Sequence, residues 1–220
     1  RGLLRIQTQR QFGHQIAARQ AFAIAQQAHR LLRIAAIGLH EGQRADRADV
    51  QRVVHEGRDR AAHADQCDVV GLLCRQTARE GGVSKLVSTA AVHNEILARR
   101  PDLLSILKEP LFFSWMGEEE PGHTPWYQSP VFDFVDGVFN CAPGMNHIRK
   151  GHALPGAPAM TESQLEALEF FEHVCEELEF SMDFAPGDIQ FLNNGLVAHT
   201  RSDFTDWPEK ERRRHLLRIW

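Results

Sequence analysis

Every proline and every tryptophan in this chain lies after residue 62, and that boundary constrains the fold more than any other feature. Residues 1–62 hold 11 Arg, no Lys and 5 acids, a net +6, whereas residues 63–220 hold 14 basic and 24 acidic residues, a net −10. The first stretch lacks Ser, Asn and Tyr and consists largely of Ala, Gln and Arg around short apolar patches such as Leu31–Ile34. These residues favour helix, no proline interrupts them, and no strand alternation shows. A targeting peptide is disfavoured because Ser is absent. We read residues 1–62 as an atypical segment, either a peripheral helix or non-native sequence, since Arg/Ala/Gln/His bias without Lys is what a GC-rich gene gives in a wrong frame. The chain lacks an initiator Met and stops at Trp220 inside an apolar run, so both ends read as cut. Function is sought in a domain spanning residues 63–220.

That domain carries ordinary globular chemistry. Overall, 43 % hydrophobic and 25 % charged residues exclude a disordered or fibrous chain. No apolar run approaches the roughly 18 residues of a membrane span. Cys67, Cys74, Cys141 and Cys175 have neither zinc-site spacing nor the density of a disulfide scaffold, and are expected to be reduced thiols in a cytoplasmic protein. A net charge of −4 gives no electrostatic reason for a nucleic-acid partner. Self-association is left open.

Local patterns supply the elements. Asp68–Cys74 reads as a buried strand, and Ser88 or Thr89 caps a helix running to about Arg100, where Pro101 stops it. Asp136-Gly137 between Pro130–Val135 and Val138–Asn140 predicts a type I′ hairpin. Thr161–Gln164 is a capping box opening a helix to about Leu178, with Leu165, Leu168, Phe171 or Val174, Cys175 and Leu178 on one face. Pro186-Gly187-Asp188 turns into a strand from Ile189 to Leu192, and Arg214–Trp220 reads as the last strand. The stretch from Phe112 to Tyr127 reads as a mobile loop. Strands with helices between them predict a mainly β fold with flanking helices, a sandwich or jelly roll.

Three patterns could carry chemistry. In an extended His63-Ala64-Asp65 the imidazole and carboxylate share a face, two donors of a 2-His-1-carboxylate iron site. His199, after a strand and a polar turn, is the candidate for the second His. In the final strand Arg214, Leu216, Arg218 and Trp220 share a face, and two arginines about 13 Å apart would be costly to bury without anions. A dicarboxylic acid would supply them, matched bidentately by guanidinium forks.

His63-Ala-Asp65, Gly81-Gly82-Val-Ser84, Asn194 to His199, and Arg214 with Arg218 stand in an order and spacing that resembles the taurine dioxygenase-like family of Fe(II)- and 2-oxoglutarate-dependent oxygenases. The resemblance covers about residues 63–220 and implies a double-stranded β-helix (jelly roll), incomplete at its N-terminus. By it, His63, Asp65 and His199 are the iron ligands. Ser84 falls where the family has a hydroxyl near the distal carboxylate of 2-oxoglutarate, and Arg214 where its arginine pairs with that carboxylate. Arg218 falls near the metal-bound end of the cosubstrate or an acidic group of the substrate. The implied reaction uses O2 to hydroxylate a small anionic or zwitterionic metabolite, with release of succinate and CO2. The alternative is a catalytically inactive jelly-roll fragment or binding protein.

Overall fold

The structure, a computed structural model, describes residues 51–52, 62–65 and 67–219. The helical expectation for the first 62 residues falls almost entirely outside them, as does Trp220. The described elements are β1 (Gln51–Arg52), β2 (Val69–Gln76), β3 (Glu80–Gly81), β4 (Ser84–Ser88), α1 (Thr89–Arg99), α2 (Pro101–Leu107), β5 (Leu111–Ser114), β6 (Trp126–Ser129), β7 (Phe132–Val135) and β8 (Val138–Cys141). They continue with α3 (Met145–His152), α4 (Glu162–Leu178), β9 (Phe180–Met182), β10 (Ile189–Asn193), β11 (Val197–Arg201), β12 (Phe204–Thr205) and β13 (His215–Ile219).

Two antiparallel sheets frame the site. One runs β1-β13-β2-β10, the other β11-β4-β9. At the centre of the first, β2 is buried from Val69 to Cys74, as its unbroken apolar run requires. Its Leu72 stands opposite Arg218 and Gln190 on one face, while Leu73 packs with Leu217 and Ile189 on the other. A register shift between His215 and Leu216 skips Arg75 of β2. The extra residue therefore belongs to β2, and β13 keeps its alternation: Arg214, Leu216 and Arg218 all line one cavity.

The larger core lies on the far side of the second sheet. Val87 of β4 and Ala198 of β11 pack there in a cluster with α1, α2 and α4. Ser88 caps α1, whose last residue is Arg99; Pro101 ends that helix and, at the first position of α2, opens the next. The Thr161–Gln164 capping box is formed in full. The buried stripe of α4 is Ala167, Leu168, Phe171, Val174 and Cys175. Leu165 and Leu178, expected on that face, are 41 % and 40 % exposed, because one lies on the flank of the stripe and the other ends the helix.

Asp136 and Gly137 both have positive φ (52° and 78°), the backbone a type I′ turn needs between β7 and β8. The stretch read as a mobile loop is instead a hairpin, β5 with β6, and only residues 115–125 are loop. Phe113 stacks on Tyr127 at 5.3 Å and Phe112 packs on Trp126 at 4.8 Å, so aromatic pairs across the ladder hold it together. All four cysteines are free thiols. No described helix is long and apolar enough to cross a membrane.

Candidate metal centre and anion site

His63 and His199 exchange both backbone hydrogen bonds, at 3.0 and 2.7 Å, in an isolated antiparallel bridge on the free edge of β11. Residues paired this way point their side chains to the same side, and the two rings lie 4.7 Å apart. Asp65, two residues along an extended segment, joins them. The ligand atoms of His63, Asp65 and His199 all lie within 4.8 Å of one another.

The carboxylate of Asp65 is divided between two tasks. Arg218 Nη1 donates to Oδ1 at 2.9 Å, with both side chains 14 % exposed. Oδ2 is 3.7 Å from His199 Nε2. Asp65 Oδ2 and His199 Nδ1 are buried with no hydrogen-bond partner among the described residues. Buried polar atoms left unsatisfied are costly, and a cation held by two imidazoles and a carboxylate would relieve that cost at Asp65 Oδ2, the oxygen that faces His199 Nε2. The donor set thus fits a divalent iron ion.

A second layer holds Asp65 in place. Asp65 donates its backbone N–H to Asn194 Oδ1 at 3.3 Å, and Asn194 Nδ2 donates to the Cys67 carbonyl at 2.8 Å. The buried Asn194 therefore ties the segment after His63 to the β10–β11 turn. Burial, and next the charge of Asp65, push the Cys67 thiol up to about 11, so it stays protonated beside this donor cluster at neutral pH.

His199 is kept neutral. Burial first, then the neighbouring His63, lower its pKa from 6.5 to about 4 against the pull of Asp65. The unfolded chain takes up this proton near pH 6.5, the native metal-free chain only near pH 4. This residue's contribution to stability is therefore full above pH 6.5 and lost as the pH falls from there to about 4. Thermal unfolding of metal-free protein across that interval should show the loss, and His199→Gln should show a shallower dependence.

The other end of the cavity is cationic. Arg214, 8 % exposed, donates its backbone N–H to Asp206 Oδ1 at 2.6 Å. Its guanidinium has no hydrogen bond or ion pair among the described residues and lies 5.3 Å from the Phe204 ring. Burial, and then the charge of Arg201, lower its pKa. A buried cation of this kind calls for an anion. Gly82 makes room for it: a Cβ there would sit 3.1 Å from Arg214 Nε, and its φ of +73° favours glycine. Ser84 is buried and lines the same cavity, its hydroxyl 3.5 Å from Gln190 Oε1.

All six residues singled out from the sequence line one cavity of about 1030 Å³. The anion beside Arg218 is Asp65, a pairing the sequence did not suggest. Arg201, Asn194 and Tyr127 also line this cavity. Arg201 was legible from strand alternation, two residues beyond His199; no local signal marked the contacts of Asn194.

Two antiparallel sheets frame one cavity that holds a His-Asp-His cluster able to bind a metal and the buried Arg214. Residues 1–220 match the taurine catabolism dioxygenase TauD, TfdA family, and the chain belongs to that family. The family's cofactors are Fe(II) and the cosubstrate 2-oxoglutarate, which the two ends of the cavity fit. FR-33289 synthase of Streptomyces rubellomurinus (strain ATCC 31215) is 30 % identical over 162 residues, 72 % of this chain and 48 % of that protein. Taurine hydroxylase-like protein SAT17 of Stachybotrys chartarum (strain CBS 109288 / IBT 7711) is 33 % identical over 163 residues, 71 % of this chain and 40 % of that protein. The chain thus spans about half or less of the length of these curated relatives.

Among solved structures, asparagine oxygenase in complex with Fe(II), 2S,3S-3-hydroxyasparagine and succinate superposes with a TM-score of 0.59 at 18 % identity, covering 78 % of this chain and 56 % of that one. A taurine dioxygenase from Burkholderia xenovorans gives 0.53 at 15 %, covering 80 % and 62 %. At these identities the likeness is one of fold.

Proposed function

We propose that this chain is an Fe(II)- and 2-oxoglutarate-dependent dioxygenase that hydroxylates a small anionic or zwitterionic metabolite. The observation that carries this reading is the His63, Asp65 and His199 donor cluster in one cavity with the buried guanidinium of Arg214, which has no ion pair among the described residues. Iron bound there with 2-oxoglutarate would supply oxidative decarboxylation coupled to hydroxylation of a C–H bond, with succinate and CO2 released.

The protein's own residues position the parts. His63, Asp65 and His199 would hold the metal as two imidazoles and one carboxylate, a donor set suited to Fe(II) oxygenase chemistry. Arg218 holds Oδ1 of Asp65 and leaves Oδ2 for the metal. Arg214 pairs with the distal carboxylate of 2-oxoglutarate, with the Ser84 hydroxyl beside it. The Phe113–Tyr127 stack walls the cavity, and Tyr127 Oη, with no hydrogen bond among the described residues, can donate to a substrate. Taurine and asparagine, in the names of the relative and the structural neighbours, are small zwitterions, which favours that substrate class here. We assign the jelly roll to residues 63–220; the segment before it lies almost entirely outside the described residues, of which Gln51–Arg52 pairs with β13.

Succinate formation by the iron-loaded chain supplied with 2-oxoglutarate and oxygen tests the reading. Succinate that accumulates with 2-oxoglutarate and is lost on chelating the iron is the expected result. No succinate from iron-loaded chain, with or without candidate zwitterions, would return it to a jelly-roll binding protein without turnover.

A further inference from the structure

The cationic end of the cavity contains a second guanidinium that none of the motif positions includes. Arg201 follows His199 by two residues on β11, so both side chains leave the same face of the strand. In the β4–β11 ladder the residue directly opposite Arg201 is Ser84, which places the hydroxyl and the guanidinium side by side on that face. Arg214, the residue before β13, approaches the Phe204 ring as well. The Arg201 guanidinium carbon lies 4.4 Å from the centroid of the Phe204 ring, and that of Arg214 lies 5.3 Å from the same centroid. Both line the cavity that holds the metal ligands. Arg201 Nη1 also donates to the Ser202 carbonyl at 3.1 Å, which fixes its direction.

Both guanidiniums approach the Phe204 ring and line one cavity, and the charge of Arg201 acts unfavourably on Arg214; an anion that reaches both would reverse the sign of that interaction. The distal carboxylate of 2-oxoglutarate has two oxygens and room for about four hydrogen bonds, more than one arginine fork and one hydroxyl supply. We infer that Arg201 is a second arm of the cosubstrate site, binding the distal carboxylate of 2-oxoglutarate together with Arg214 and Ser84. This rests on the function proposed above. The arm acts on the end of the cosubstrate remote from the metal, so it selects for 2-oxo acids that carry a second carboxylate.

The test uses the full chain loaded with Fe(II) without oxygen and titrated with 2-oxoglutarate, following the absorption of the chelate. Pyruvate, a 2-oxo acid without the distal carboxylate, is the second probe. Iron loading of every variant is measured first, so an intact metal site is established independently of the cosubstrate. Arg201→Gln is expected to weaken 2-oxoglutarate binding about tenfold or more, the range for a hydrogen bond to a charged group, and to leave pyruvate binding unchanged. Arg201→Lys, which keeps the charge without the fork, is expected to recover part of the loss and carries the comparison if the Gln variant does not load iron. Equal 2-oxoglutarate affinity in wild type and Arg201→Gln would overturn the inference while leaving the proposed function intact. Equal losses for both acids would also overturn it, because they would report a disturbed metal end. Failure of the wild type itself to bind 2-oxoglutarate would overturn both.

Discussion

Replacing His199 by alanine is expected to cost the protein its metal and its turnover together. The His199 ring is one of the three proposed donors, buried, and held neutral by burial with its pKa pushed down to about 4, so at neutral pH it can ligate without losing a proton. Its position is set by backbone hydrogen bonds to His63 and by the β4 ladder, neither of which involves the imidazole. The variant should therefore fold while keeping only two donors. Loss of groups that merely orient metal ligands costs about 10–100-fold in affinity, so loss of a ligand should cost at least about 100-fold. Titration with Fe(II) and a succinate assay on the same sample check this. A variant that binds iron as the wild type does would remove His199 from the site.

Arginine 214 offers the second large effect, and its contrast with Arg218 makes it specific. Arg214→Lys keeps the charge and loses the fork, which should weaken 2-oxoglutarate by about 1.5–3 kcal/mol, or one to two decades in affinity. Arg218→Lys should act elsewhere. Arg218 donates to Asp65 Oδ1 at 2.9 Å, so its loss frees a metal ligand and should weaken iron binding more than cosubstrate binding at saturating iron. Exposed charges would give neither result, since their pairs contribute little. Anaerobic titrations of both variants with iron and then with 2-oxoglutarate separate the two roles. The same loss in both steps for both variants would contradict the division of labour.

Local signals in the sequence account for much of the frame. The apolar run at Asp68–Cys74, the Asp136-Gly137 turn and the Thr161 capping box each became β2, a hairpin and a helix start, because each depends on a few adjacent residues. The β5–β6 hairpin was missed because residues 115–125, rich in turn-forming Gly and Pro, separate two short aromatic strands whose pairing is visible only across the ladder. The six candidate site residues were legible from spacing and family motifs, and they line one cavity. Their partners were not, because those are set by chain separation: Asp65 meets Asn194 across 129 positions and Arg218 across 153. Arg201 lies between these cases. Strand alternation from His199 places it on the cavity face, yet only the facing sheet brings Arg214 to the same ring.

The central claim is that His63, Asp65 and His199 form one iron site, and iron stoichiometry tests it most directly. Wild-type chain and a His63→Ala/His199→Ala double variant would be loaded with Fe(II) without oxygen, freed of excess metal, and assayed for iron per chain. One iron per wild-type chain and none in the folded double variant is the predicted result. Stoichiometric iron retained by the double variant would contradict it.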